Sequence, residues 1–506
     1  MKLGQLLEGI DTINISGDFS GEVTTLCYAA DKCANGSMFV AVRGLAYDGH
    51  DFIVDAVNRG ARYIVHEKDI QIPSGVIAIK VMSSRRALGE LAKNYFGNPS
   101  ARLCLVGVTG TNGKTTTTYI LESILAQAGF KCGVLGTVNY RYNNKIYPAP
   151  NTTPESYEMQ KILRAMADDG VTHVIAEVSS HAIDLKRVDD CDFDLGVFTN
   201  LTHEHLDYHL TMENYFQAKK LFFTEVLPHS KKAHPQKMII NGDDQWGQII
   251  LKDLALPSLS YGMEKNNAVK TVSYKLSLAG IKAEIDLAGV TISIQTPLVG
   301  KFNIYNILAA AAAAKALQIP EAAIKGGIEN LSYVPGRLER IDSSFGFTVL
   351  VDYAHKPDAL KQVLQNLTEF KKKRIITVFG CGGNRDRGKR PLMGDTSTSF
   401  SDLTIVTSDN PRLEDPLEII AEIEAGIDKS KIKKVTPDEL GSAKGTHSYS
   451  VIPDRKTAIE TAINFAQIDD IVLIAGKGHE DYQIMGSSKM PFDDRVVAAQ
   501  TIKMRR

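Results

Sequence analysis

The sequence lacks a net charge: 58 basic side chains stand against 59 acidic ones. No domain-wide positive field exists to hold nucleic acid or an anionic membrane surface, so anion binding has to come from local sites. It also lacks cysteine pairs. The six cysteines, at positions 27, 33, 104, 132, 191 and 381, form no CxxC and no framework spacing, which fits thiols kept reduced and used as small core residues. Long apolar runs are missing too. The most apolar stretch, Ile307 to Ala314, is cut by Lys315 and is far too short to span a bilayer. The opening MKLGQLLEGI carries one early lysine and no extended hydrophobic segment, unlike a secretory signal. No fixed-period repeat or low-complexity tract stands out, which argues against a solenoid. What is there is a chain of 506 residues, 43% hydrophobic and 23% charged. It is expected to be soluble, cytoplasmic and built from about three domains.

Short β-like runs, MFVAV (38–42) and YIVHE (63–67), alternate with helical stretches in the first hundred residues, and Asn98-Pro99-Ser100 makes a break. From Leu103 the pattern becomes buried strand, Gly-rich turn and helix: LCLVGV, TGTNGK, TTTTYILESILAQAG. CGVLGTV (132–138), HVIAEVS (173–179) and LGVFTN (195–200) follow. Runs apolar on both faces read as parallel strands, so the spacing predicts a doubly wound α/β domain. After the Pro-Gly break at 333–337 the alternation restarts with FTVLVDY (347–353), RIITVFG (374–380), LTIVTS (403–408) and IVLIAGKG (471–478). The expected segments are therefore 1–98, 99–336 and 337–506.

Gly110-Thr111-Asn112-Gly113-Lys114-Thr115 lies between a buried strand and a helix start, where a phosphate-binding loop belongs. Its glycines let backbone N–H groups approach phosphate, Lys114 neutralises charge, and Thr115 can ligate Mg²⁺. Val108 stands where the strict pattern has its first glycine. The competing reading, a Gly-rich turn with a solvated lysine, is disfavoured by the strand–loop–helix setting. Glu177 ends a strand on the same sheet edge, where open α/β sheets bind ligands, and is a candidate second Mg²⁺ ligand. His205, within HEHLDYH, invites a zinc reading. Zinc sites usually show paired helical ligands or Cys/His spacing, so beside a nucleotide loop Mg²⁺ is preferred.

Lys219, in ENYFQAKKLFFTEV, lies four residues after Tyr215 and four before Phe223, on the face that also carries Phe222 and Val226. Such a lysine either snorkels to solvent or is desolvated, and desolvation leaves a neutral, nucleophilic amine. Periodicity alone favours snorkelling.

Nine motifs occur in order: GTNGKT, NTTP (151–154), EVSSH, TNL…HLDYH, GKFNIYN (300–306), DYAHKPDAL (352–360), FGCGGNRDRGKRPLMG (379–394), DNPR (409–412) and GKGHEDYQ (476–483). Over the whole chain they resemble the Mur ligase family in its diaminopimelate-adding form. The resemblance implies a UDP-binding domain, a central P-loop-type ATPase and a C-terminal Rossmann-like domain that receives the amino acid. It implies an ATP-dependent ligase that adds meso-2,6-diaminopimelate to UDP-N-acetylmuramoyl-L-alanyl-D-glutamate through an acyl phosphate, as a cytoplasmic monomer of peptidoglycan synthesis with no membrane insertion. By the same likeness Lys114, Thr115 and Thr116 hold ATP phosphates and Mg²⁺, and Glu177 and His205 are metal ligands. Lys219 is carbamylated, because a desolvated neutral amine captures CO₂. Asn303 and Asn306 match adenine-side positions, and Arg337 and Asp352 match nucleotide contacts of the C-terminal domain. Asn151, Thr152, Thr153, Ser179 and Arg187 match substrate contacts. Arg385, Asp409, Asn410, Pro411, Arg412, Gly476 and Glu480 match the amino-acid pocket. There Arg412 can fork onto the distal carboxylate of diaminopimelate and Glu480 can hold its ammonium.

The chain departs from the family pattern in places. Ala29-Ala30-Asp31 replaces Asp-Ser-Arg near the UDP site, Glu204 and Asn384 each replace an aspartate, and Ser408 precedes DNPR where an acid is common. The same ligation with L-lysine is the alternative within the class and is disfavoured by Arg412. A folylpolyglutamate synthetase is disfavoured by DNPR and NTTP together. A nucleotide-dependent switch would leave DNPR and GKGHE without purpose.

Overall fold

The computed structural model describes residues 1–505 apart from 17–20, 45–46, 254–255 and 441–446. Contacts divide the chain into two compact units. One holds residues 1–272, 285–292 and 305–327, the other 273–284, 293–304 and 328–506.

The first unit opens with β1 (Thr12–Ser16), β2 (Leu26–Cys27), β3 (Ser37–Val40), β4 (Ala61–His66) and β5 (Ile77–Val81), in the order β1-β5-β4-β3-β2. Only β1 runs antiparallel to its neighbour. The helix Ser84–Phe96 buries Ala87, Leu88, Leu91 and Ala92, one face at helical spacing, and ends at Gly97 with φ 73°.

Its larger sheet comprises β6 (Cys104–Thr109), β7 (Cys132–Leu135), β8 (Tyr140–Tyr142), β9 (Lys145–Tyr147), β10 (His173–Glu177), β11 (Leu195–Phe198), β12 (Lys237–Asn241) and β13 (Ser258–Gly262). The order is β13-β12-β11-β6-β10-β7-β8-β9. Strands from β7 to β13 pair in parallel, and β8 and β9 form an antiparallel hairpin. β6 therefore has β10 on one side and β11 on the other. The strand order reverses there, which opens a crevice at the carboxyl ends of the strands. β14 (Val269–Ser277), β15 (Gly280–Leu287) and β16 (Thr291–Thr296) follow and are shared between the two units.

In the second unit β17 (Glu339–Ile341), β18 (Thr348–Asp352), β19 (Ile375–Phe379), β20 (Leu403–Val406), β21 (Lys433–Lys434), β22 (Ser448–Val451) and β23 (Ile471–Ala475) form a sheet ordered β17-β18-β23-β19-β20-β22-β21. It is parallel except at β17, with a separate apolar core on each face. Each β-like run expected from Leu103 onward forms a strand, and the expected α/β class holds throughout. Among the described residues no helix is long and apolar enough to cross a membrane. The cysteines are less dispersed than their sequence spacing suggests, since Cys27 and Cys33 bring their sulfurs to 2.7 Å.

Candidate functional site

β6 ends at Thr109, and the chain turns through residues 110–113 into the helix Lys114–Gln127. Two glycines make the turn possible. Gly110 has φ +144°, and a Cβ there would fall on the Thr199 hydroxyl; Gly113 has φ +87°, and its Cβ would fall on the Asn306 side-chain oxygen. The loop is clamped from the end of β11. Thr111 N–H donates to the Asn200 carbonyl at 2.8 Å and Asn112 N–H to Asn200 Oδ1 at 2.9 Å. Asn200 Nδ2 and Thr199 Oγ1 return bonds to the Asn112 carbonyl at 3.1 and 2.7 Å. Thr115 and Thr116 are buried in the first helical turn, where backbone amides and the helix dipole favour an anion.

Lys114 Nζ donates to the Gly110 and Thr111 carbonyls at 2.8 and 2.7 Å. Lys219 Nζ reaches the same Gly110 carbonyl at 2.9 Å. Lys219 is 1% exposed, so it does not snorkel. Burial holds its pKa well below the ordinary lysine value, and the charge of Lys114 lowers it further. The helix Met212–Leu221 positions it one turn after Tyr215, with the amine 4.9 Å from that ring. The Tyr215 hydroxyl pairs with Thr111 Oγ1 at 3.1 Å, so lysine, tyrosine and loop form one network. His205 has φ 57° and heads the short helix Leu206–His209. Its ring lies 4.9 Å from that of His181 and 5.9 Å from that of Tyr215. Burial lowers the pKa of His181 and His209, which leaves neutral imidazoles near neutral pH.

Glu177 ends β10 opposite Val108 and is 1% exposed. Thr137 holds it twice, N–H to Oε1 at 3.0 Å and Oγ1 to Oε2 at 2.9 Å, and Thr137 Oγ1 also lies 3.1 Å from Thr152 Oγ1. Thr153 Oγ1 donates to the Glu177 carbonyl at 2.8 Å and accepts from Ser179 N–H at 3.0 Å. Arg187 Nη1 donates to the Thr153 carbonyl at 3.3 Å and its Nε lies 3.4 Å from Glu155. The Asn151 carbonyl accepts from the Tyr140 hydroxyl at 2.5 Å. The residues at 151–153, 177, 179 and 187 are thus brought to one crevice edge.

Among the described residues no three His, Cys, Asp or Glu side chains converge as a metal cluster. A magnesium–nucleotide site does not need one, since Mg²⁺ takes one or two carboxylates and completes its shell with phosphate oxygens and water. Thr115, Glu177 and His205 fit that thiol-free donor set, whereas the Lys219 amine as it stands donates a hydrogen bond.

In the second unit Asp352 accepts from Leu338 and Ala354 N–H at 2.7 and 2.8 Å. Burial raises its pKa, and Arg337 opposes that rise. Arg337 lies over the Tyr353 ring at 4.9 Å. Asn303 belongs to this unit and donates to the Val299 carbonyl at 2.7 Å. The loops after β19, β20 and β23 bring most of the expected amino-acid-pocket residues together. Glu480 Oε2 accepts from Asn410 Nδ2 at 2.8 Å and from Lys477 Nζ at 3.2 Å. Arg412, at φ 54°, donates through Nη1 to the Gly383 and Asn410 carbonyls at 2.9 and 3.4 Å. Gly476 has φ +114°, and a Cβ there would lie 2.9 Å from Asp409 Oδ2. The Pro411 carbonyl closes on Gly383, while Arg385 stands exposed.

Sequence reading missed Thr137, Asn200 and Lys477. Thr137 and Asn200 sit inside apolar runs, but their partners are set by which strands become neighbours. Lys477 lies only three residues before Glu480 in GKGHE, a spacing that could have flagged it. Lys477 is fully buried against Glu480, so Glu480 already faces one ammonium.

A phosphate loop at the switch point of a parallel sheet, with a carboxylate and a histidine on the same crevice, defines a nucleotide-binding α/β protein. Three family models match: "Mur ligase family, catalytic domain" over 22–96, "Mur ligase middle domain" over 108–314 and "Mur ligase, glutamate ligase domain" over 336–478. A protein of Geobacter metallireducens named UDP-N-acetylmuramoyl-L-alanyl-D-glutamate--2,6-diaminopimelate ligase is 45% identical over 503 residues, covering 99% of this chain and 98% of its own. A protein of the same name from Geobacillus thermodenitrificans is 42% identical and covers 100% of both chains. A solved structure of a protein of that name is 30% identical with a TM-score of 0.71, covering 99% of each chain. The chain belongs to the Mur ligase family.

Proposed function

We propose that the chain is an ATP-dependent amide-forming ligase that joins meso-2,6-diaminopimelate to UDP-N-acetylmuramoyl-L-alanyl-D-glutamate in peptidoglycan precursor synthesis. The observation that carries this reading is the 45% identity, over 99% of the chain, with a relative bearing that name. In the proposed reaction the D-glutamate γ-carboxylate attacks the γ-phosphate of ATP, giving an acyl phosphate and ADP. The incoming amine then attacks the activated carbonyl, and phosphate leaves. Lys114 and the amides of residues 110–116 hold the phosphates, Asn303 and Asn306 serve the adenine side, and Arg337 and Asp352 contact the nucleotide. Magnesium, when bound through Thr115, Glu177 and His205, would supply charge stabilisation of the phosphoryl group. The neutral Lys219 amine is suited to capture CO₂ and become an anionic carbamate beside that site. Asn151, Thr152, Thr153, Ser179 and Arg187 would receive the UDP-dipeptide. Asp409, Asn410, Pro411, Arg412, Gly476, Glu480 and Arg385 would receive the amino acid. Segments 1–98, 99–336 and 337–506 take the UDP-substrate, the nucleotide and the amino acid respectively. The product would feed cell-wall growth, and through it cell shape and division, from the cytoplasm, with the chain acting as a monomer. Phosphate release tests the reading: turnover should require both the UDP-dipeptide and diaminopimelate, and vigorous hydrolysis with neither would sink it.

A further inference from the structure

Cys27 ends the edge strand β2, packed in a small core with Ala30, Phe39 and Ile64. Cys33 follows the one-turn helix Ala30–Lys32 and is half-buried at the rim of the same core. Their sulfurs lie 2.7 Å apart, a fraction of an ångström beyond a disulfide bond of about 2.04 Å. The Cys27 thiol also reaches the Met38 carbonyl at 3.3 Å and that of Cys33 the Ala29 carbonyl at 3.8 Å. The two residues bracket Tyr28, whose hydroxyl donates to Glu158 at 2.8 Å, and the Ala29-Ala30-Asp31 stretch in which the chain departs from its family.

We propose that Cys27 and Cys33 form a dithiol site that closes reversibly to a disulfide by exchange with a disulfide-bearing small molecule. Cys33, the more accessible sulfur, attacks first as its thiolate. One thiolate of the small molecule leaves, and Cys33 carries a mixed disulfide. Cys27 then loses its proton to solvent and attacks Cys33 Sγ, and the second thiolate leaves. Two protein thiols and one disulfide become one protein disulfide and two small thiols, so electrons and atoms balance. The order of attack agrees with the electrostatics: a hydrogen bond from Cys27 lowers the Cys33 pKa, whereas that bond and burial raise that of Cys27. Burial pushes Cys104, Cys132 and Cys381 each up to about 12 and raises Cys191 further, which sets them apart from the pair as slow thiols.

The test is incubation of the full-length protein with excess oxidised glutathione, followed by intact mass, peptide mapping and thiol titration under denaturing conditions. The unmodified chain should lose two hydrogens, show one cross-link between Cys27 and Cys33, and fall from six titratable thiols by two, all reversed by dithiothreitol. Cys27→Ala, which keeps the small core apolar, should accumulate one glutathione on Cys33, and Cys33→Ser should form neither product on the same timescale. A stable glutathione adduct on the unmodified chain, a cross-link through any other cysteine, or six thiols surviving would overturn the proposal.

Discussion

Lys219 and Lys114 donate to one carbonyl, that of Gly110, and two full charges so placed repel in a desolvated setting. Burial already penalises the charge of Lys219, and the charge of Lys114 lowers its pKa further. Its folded pKa then lies below the unfolded value of about 10.4. Between the two, the unfolded chain holds a proton that the folded chain does not, so stability rises with pH across that interval and is reduced below it. Lys219→Met should therefore unfold at a higher temperature than the unmodified chain in CO₂-free buffer at pH 7, with a flatter pH dependence. Its amino-acid-dependent phosphate release should drop by roughly a hundredfold or more, as when a transition-state charge partner is removed. Lys219→Ala should regain part of its turnover with a short carboxylic acid. Full turnover in either variant would show that the amine is a packing residue. The helical spacing of Lys219 among Tyr215, Phe222 and Phe223 was legible in the sequence. Its shared carbonyl partner was not, because Gly110 lies far away along the chain.

Arg412 is a second case at this scale. Its Nη1 has carbonyl partners in Gly383 and Asn410, so a lysine complex would not strand an unpaired guanidinium. The discrimination then reduces to one charge-assisted hydrogen bond, about 1.5–3 kcal/mol, or roughly ten- to a hundredfold in kcat/KM. Arg412→Lys should erase most of that preference for diaminopimelate over lysine while leaving ATP binding intact. An unchanged ratio would assign Arg412 to bracing its loop.

Among the elements, β6 and β11 place Gly107 and Gly196 in register with each other. A Cβ at Gly107 would fall on the Phe222 ring, and one at Gly196 would lie 3.0 Å from the rings of both Phe222 and Phe223. The helix Met212–Leu221 widens into a π turn at Phe222–Val226, which lets both phenylalanines face the sheet. The paired glycines thus set how closely the Lys219 helix approaches the phosphate loop. Gly196→Ala should destabilise the chain by about 1–3 kcal/mol through overpacking, read as a lowered denaturation midpoint, and should also lower turnover by shifting Lys219. A stable, fully active variant would mean that the helix accommodates the methyl group freely.

Strand existence was well marked by the apolar runs, and strand ends less so. CGVLGTV stops as a strand at Leu135, because Gly136 packs directly on the Glu177 side chain and Thr137 turns to bond it. The glycine pair and the Thr137–Glu177 bonds depend on which strands become neighbours, and local pattern does not carry that information.

For the molecule as a whole, the near-zero net charge leaves anion capture to local sites. Forming an acyl phosphate needs ATP and the UDP-dipeptide together, and releasing phosphate from it needs the attacking amine of the amino acid. The most direct measurement is phosphate release by the purified chain with ATP and Mg²⁺, adding UDP-N-acetylmuramoyl-L-alanyl-D-glutamate, meso-diaminopimelate or L-lysine singly and in combination. The predicted result is sustained release only with the UDP-dipeptide and diaminopimelate together, with lysine roughly ten- to a hundredfold less effective. Equal rates with lysine and diaminopimelate, or vigorous release in the absence of the UDP-dipeptide, would contradict it.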